Sequence, residues 1–83
     1  MERRRAMVRY AVVLEDGGNG WGAYVPDLPG CVATGATAAE ASARIRGAIA
    51  MHLEGMAEDG ESAPTPTTAV EYVEVEAAAG AEA

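Results

Sequence analysis

Lysine is absent from this 83-residue chain. That excludes a Schiff-base lysine and a phosphate-loop lysine together. The only cysteine, Cys31, can neither close an intrachain disulfide nor supply a thiolate metal site by itself. Long apolar runs are missing too: none approaches the roughly 18 residues that a membrane span needs. The N-terminal arginines are not followed by an uninterrupted apolar segment with a cleavage signal, so secretion is not indicated. The expectation is a soluble, cytoplasmic protein. The chain is long enough for one small domain and too short for two, and a core this thin can draw stability from self-association.

Charge is present and unevenly placed. Arg3, Arg4, Arg5 and Arg9 stand at the front, and only Arg44 and Arg46 follow. Thirteen acidic residues oppose them and give a formal net charge of −7. Such a body repels a phosphate backbone and suits a basic partner. Residues 1–6 read as a flexible basic arm, either a solubilising tail or a local phosphate contact. Residues 7–76 read as one domain, and 77–83 as a frayed, small-residue tail.

Residues 7–14 are rich in β-branched and aromatic types and read as strand one. A polar loop, Glu15 to Gly20, leads into Trp21–Val25 as strand two, an antiparallel hairpin. Gly22 marks either a bulge or a place where a neighbour packs over the backbone. Pro26-Asp-Leu-Pro-Gly30 reverses the chain, with Pro29 and Gly30 suited to the centre of a type II turn. Leu28, held inside that turn, reads as a plug for the end of the core. Cys31–Thr34 is a short third strand.

Thr37-Ala-Ala-Glu40 has the form of a capping box, in which the Thr37 hydroxyl accepts from the Glu40 amide and the Glu40 carboxylate reaches back to the Thr37 amide. The helix it starts runs over 38–58. Ala38, Ala41, Ile45, Ala48, Ile49, His52, Leu53 and Met56 share one face. Gly47 and Gly55 weaken the helix and suggest close approach by a neighbour. Met51 lies on the polar side and is a candidate interface residue. After Asp59-Gly60 an irregular connection leads to residues 69–76, read as strand four. Its alternation slips at Tyr72-Val73, which a bulge explains, or coverage of both faces, one by the core and one by a subunit. Tyr72, Val73 and Val75 join Met51 as candidate interface residues, and Glu71, Glu74 and Glu76 protect an exposed edge.

Little here carries chemistry. His52 sits in the apolar stripe and reads as a core or interface residue, while Cys31 reads as a small hydrophobe. The carboxylates lack a metal-loop spacing, and Gly17-Gly-Asn-Gly20 is followed by a strand instead of a helix. No catalytic residue, metal ligand or cofactor site is assigned. Pro29, Gly30, Thr37 and Glu40 are structural residues of the turn and cap.

Tyr10-Ala-Val-Val-Leu-Glu-Asp, the run from Trp21-Gly-Ala-Tyr-Val-Pro-Asp-Leu-Pro-Gly-Cys to Glu40-Ala41, and Ile45-Arg-Gly-Ala-Ile49 together resemble the HicB-type antitoxin domain, also called the HicB-like or UPF0150 family. The likeness covers about residues 7–68. It implies an α+β, two-layer β-β-β-α-β unit that is partially ribonuclease-H-like: a three-stranded antiparallel meander, a C-terminal strand and one long helix packed on the sheet. It also implies a non-catalytic protein-binding module that forms a dimer or tetramer and sequesters a HicA-type toxin, a small basic mRNA-cleaving protein. The alternatives are an orphan homo-oligomeric domain with another binding function and a small nucleic-acid-processing enzyme. Fuller members append a helix-turn-helix or ribbon-helix-helix segment. No such periodic segment follows strand four, so direct DNA binding is not expected unless a partner supplies the element.

Overall fold

The computed structural model describes residues 7–78, so the arm over 1–6 and the end of the tail lie outside the described residues. Three short strands, β1 (Val13–Asp16), β2 (Trp21–Tyr24) and β3 (Val32–Gly35), precede one long helix, α1 (Ala38–Glu58). The strands form an antiparallel meander in the order β1-β2-β3, with α1 packed on one face. Register places Leu14, Ala23 and Ala33 side by side, and Val13, Tyr24 and Val32 in the neighbouring row on the opposite face. The first row meets the helix; the second faces outward.

Local chemistry accounts for each reversal. In the hairpin loop the Gly17 amide donates to the Gly20 carbonyl at 2.7 Å, and the Gly18 amide to Asp16 Oδ1 at 2.9 Å. Two consecutive turns, each with proline as its second residue, then join β2 to β3. The Leu28 amide donates to the Val25 carbonyl, and the Cys31 amide to the Leu28 carbonyl, both at 3.0 Å. Gly30 has φ +85°, the backbone a type II turn demands after Pro29. The double turn folds Leu28 inward until it is 1% exposed. Val25 and Cys31 leave the ladder to serve these turns but stay linked, the Val25 amide donating to the Cys31 carbonyl at 3.3 Å.

Thr37 begins the helix from an extended conformation, its Oγ1 accepting from the Glu40 amide at 3.1 Å. The Glu40 carboxylate reaches the Ala36 amide instead of the expected Thr37 amide, so the reciprocal bond lies one residue further upstream. At the other end Gly60, φ +77°, donates to the Ala57 carbonyl, and Glu61 donates to the Met56 carbonyl. That pair of bonds is a Schellman motif.

The buried core consists of Ala23, Val25, Leu28, Cys31, Ala41 and Ile45, with Tyr10, Val12, Trp21, Ala33, Ala48, Ile49 and Leu53 packed partly around it. Only the first half of α1 contributes fully buried side chains, Ala41 and Ile45. Small residues bring helix and sheet close. A Cβ on Gly35 would stand 2.5 Å from the Ala41 nitrogen and 3.0 Å from its Cα. The glycines expected to admit a neighbour do not: a Cβ on Gly22, Gly47 or Gly55 would meet nothing within 4 Å. Gly22 sits in regular register between Glu15 and Thr34 without a bulge.

Two expected strands are corrected. Strand one is expected over 7–14, but the ladder begins at Val13; β2 has already turned away at Val25, so among the described residues no strand lies beside residues 7–12. Strand four was expected over 69–76, yet residues 61–78 form no regular element, and no strand among the described residues offers them a ladder. High β propensity does not make a strand without a backbone partner.

The connection after α1 is nevertheless pinned. Tyr10 donates its hydroxyl to the Pro64 carbonyl at 2.7 Å. Asp27 accepts four bonds, from the amides and hydroxyls of Thr67 and Thr68, at 2.9–3.1 Å. The amides of Thr67 and Thr68 hold the Asp27 carboxyl below its ordinary pKa, against a smaller upward push from desolvation. Beyond this strap the chain projects outward. The radius of gyration is 16.6 Å, against about 12 Å for a compact chain of this length.

Substituting Gly35→Ala lowers stability by about 1–3 kcal/mol through overpacking against α1. Gly47→Ala, in open space on the helix, raises it by up to about 1 kcal/mol. Urea midpoints at unchanged slope read both effects. Because the Asp27 pKa is lower folded than unfolded, its contribution is complete above the unfolded value near about 4 and is lost as pH falls through the folded one. Following the Thr67 and Thr68 amide resonances in an acid titration shows the strap releasing there; Asp27→Asn abolishes that titration.

Candidate protein-binding surface

Among the described residues, three apolar surfaces remain open once the core is formed. The first is the outward row Val13, Tyr24 and Val32, in which Tyr24 and Val32 are exposed. Gly22 and Thr34 beside them leave the face shallow. The second is a groove between β1, with the extended residues before it, and α1. Met7, Val8, Tyr10, Val12, Leu14, Ile45 and Ile49 line it, and Arg9 and Arg46 stand among them. It is open because, among the described residues, no strand flanks β1 on that side. The third is the projecting segment itself, whose Val70, Tyr72, Val73 and Val75 are exposed, Tyr72 at 95%.

The expected interface residues divide between two elements. Met51 lies on the outer side of α1 and is exposed, away from the half-buried stripe of Ala48, Ile49, His52 and Leu53. Tyr72, Val73 and Val75 stand in the segment after the strap. Pro29 and Gly30 are exposed at the tip of the double turn, and Thr37 and Glu40 form the cap described above. Sequence reasoning missed the groove and the Asp27 strap. The strap joins residues forty apart, and a lone Asp and a Thr-Thr pair give no local signal of that kind.

Among the described residues, the titratable groups lie apart from one another in function as well as in place: Cys31 in the core, His52 on α1. Cys31 belongs to the buried core, and burial pushes its thiol pKa up, so the thiol remains protonated and is a poor nucleophile. His52 is half-buried on α1 and is not among the residues of that core cluster. Among the described residues, no group of three or more His, Cys, Asp or Glu is placed to hold a metal ion. No helix among them is long and apolar enough to cross a membrane.

Negative charge gathers at one end of the helix. Glu54, Glu58, Asp59 and Glu61 crowd the C-terminal end of α1, and all four are exposed. No basic residue occupies the last helical turn. The helix dipole already makes that end negative, so this arrangement costs helix stability instead of adding to it. Among the described residues the only ion pair is Arg44 with Glu40, at 3.6 Å. Exposed as it is, it contributes little.

Comparison with known proteins gives this arrangement a context. Residues 10–81 match the HicB-like antitoxin of bacterial toxin–antitoxin systems. The chain is also 38% identical over 64 residues to an uncharacterised 14.9 kDa protein from the rep-hol intergenic region of Haemophilus phage HP1 (strain HP1c1). That alignment covers 77% of this chain and 48% of the relative, so the chain spans about half the relative's length. The family match takes in the meander, the double turn, the helix and the strap alike, and the chain belongs to the HicB-like antitoxin family.

Proposed function

We propose that this protein is a toxin-neutralising module that acts in the cytoplasm as a homo-oligomer and sequesters a small basic mRNA-cleaving partner of the HicA type. The observation that carries the reading is the uncompensated acidic end of α1 on a chain of net charge −7. A ribonuclease that binds mRNA needs a cationic surface to hold phosphates. An acidic surface placed on those cations competes directly with RNA and blocks cleavage without any catalytic step. Charge of this kind accelerates encounter, while desolvated apolar contacts supply lasting affinity. Met51 and the outward row Val13, Tyr24 and Val32 are the candidates for those contacts.

The charge pattern gives the proposal an unusual signature. Glu54→Lys and Glu58→Lys place cations at the negative end of the helix dipole and raise stability, by up to about 1 kcal/mol each. The same two changes slow association with the basic partner by about tenfold or more at low salt, a difference that shrinks as salt is added. Co-purification from the native cell followed by mass spectrometry identifies the partner. Recovery of the homo-oligomer alone, or a partner that binds both lysine variants as fast as the parent, contradicts the toxin reading.

A further inference from the structure

Three dipeptides in this chain are able to close a five-membered ring on themselves: Asp16-Gly17, Asn19-Gly20 and Asp59-Gly60. In each, the glycine nitrogen can attack the side-chain carbonyl carbon of the residue before it, and the glycine has no side chain to obstruct the approach. Attack is easiest for a nitrogen whose N–H is not already committed to a hydrogen bond.

On that criterion the three sites differ. The Gly17 amide donates to the Gly20 carbonyl at 2.7 Å, and the Gly60 amide to the Ala57 carbonyl at 3.0 Å. Asp16 is engaged as well, its Oδ1 accepting from the Gly18 amide. Among the described residues, the Gly20 amide donates no hydrogen bond and the Asn19 side chain makes none. We infer that Asn19-Gly20 is a site of self-modification, at which Asn19 loses its side-chain nitrogen as ammonia and becomes isoaspartate or aspartate.

The reaction needs only water as co-reactant. The Gly20 nitrogen bonds to Asn19 Cγ, the Cγ–Nδ2 bond breaks, and Nδ2 leaves as ammonia, carrying the proton that Gly20 gives up. Water then opens the cyclic imide. Cleavage between Cγ and the Gly20 nitrogen restores the ordinary main chain with aspartate at 19. Cleavage between the Asn19 main-chain carbonyl carbon and the Gly20 nitrogen leaves the chain running through Cγ, as isoaspartate. A carboxamide is also a better electrophile than the carboxylates of Asp16 and Asp59.

The surroundings admit both steps. Asn19 is exposed, and Gly18 before it, at φ +92°, has open space where a side chain would stand. Asn19 and Gly20 line a shallow, open cleft with Trp21, Gly35 and Arg44, so water reaches the ring.

The two products differ in what they do to the fold. Aspartate keeps the length of the main chain and adds one negative charge. Isoaspartate adds a carbon to the main chain beside Gly20, whose position is tight. Its carbonyl is held by the Gly17 amide, and a Cβ on it would stand 3.0 Å from the Gly35 carbonyl oxygen. Gly35 is the residue against which Ala41 packs. The isoaspartate form therefore presses on the junction of β3 and α1.

The inference is independent of the binding function proposed above. Asn19 is the one asparagine and glutamine is absent, so side-chain ammonia has a single source. The folded full chain, kept in warm, mildly alkaline buffer, is expected to release up to one ammonia per chain and gain one mass unit, and peptide mapping is expected to find isoaspartate at 19. The separated isoaspartate form is expected to unfold at lower urea than fresh protein, while Asn19→Asp unfolds with the parent. Asn19→Gln, which would need a six-membered ring, is expected to keep its nitrogen.

A folded chain that keeps its ammonia while the urea-unfolded chain loses it overturns the inference, because the fold then protects the site. Release from Asn19→Gln as fast as from the parent overturns the ring mechanism. Isomerisation of Asp16 or Asp59 in the folded chain as fast as conversion of Asn19 overturns the part given to the free Gly20 amide. An isoaspartate form as stable as the parent overturns the effect on Gly35.

Discussion

Contact between the backbones of β3 and the first turn of α1 is the constraint on which this small fold rests. Among the described residues, six buried side chains make up its centre, and three of them are alanine or cysteine. So small a set encloses a core only if helix and sheet approach nearer than larger side chains allow. Gly35 supplies that approach. The Thr37 cap then fixes where the helix begins, so that Ala41 and Ile45 join Ala23, Val25, Leu28 and Cys31 in one buried cluster. Widening the spacing at Gly35 would loosen every one of these contacts together.

The later part of α1 has a different role. Its stripe of Ile49, His52, Leu53 and Met56 continues without gaining a fully buried residue, and its end gathers carboxylates against its own dipole. A domain under selection for stability alone would place cations there. Stability has been given up at a surface, which is the usual mark of a surface that meets something else.

Local signals were legible in the sequence and tertiary ones were not. The helix bounds of 38–58 follow from Thr37, Glu40, Gly60 and the 3.6-residue spacing, all of which act within a few residues of one another. The hairpin and the Pro29-Gly30 turn were legible for the same reason. Gly35 passed as an ordinary strand end, because its importance lies in Ala41 coming to rest above it. Asp27, Thr67 and Thr68 went unremarked, since nothing local reports a bond across forty residues. Residues 69–76 show the limit from the other side: their β-rich composition points to a strand, yet the described chain forms none there, because no strand among the described residues lies alongside to supply a ladder. The candidate surface was only partly legible. Exposed apolar residues in the tail could be picked out, but the groove exists only because an edge is left uncovered.

The Asp27 strap has a thermodynamic consequence. Ordering an eight-residue segment costs on the order of 1–2 kcal/mol per residue in backbone entropy. Four bonds to one carboxylate and the Tyr10 bond to Pro64 fix the root of that segment. Tethering of this kind limits the region that the following residues can reach and lowers the conformational entropy they have left to lose. One aspartate in a turn thus acts as an anchor for a part of the chain forty residues further on, and it does so from outside the buried core.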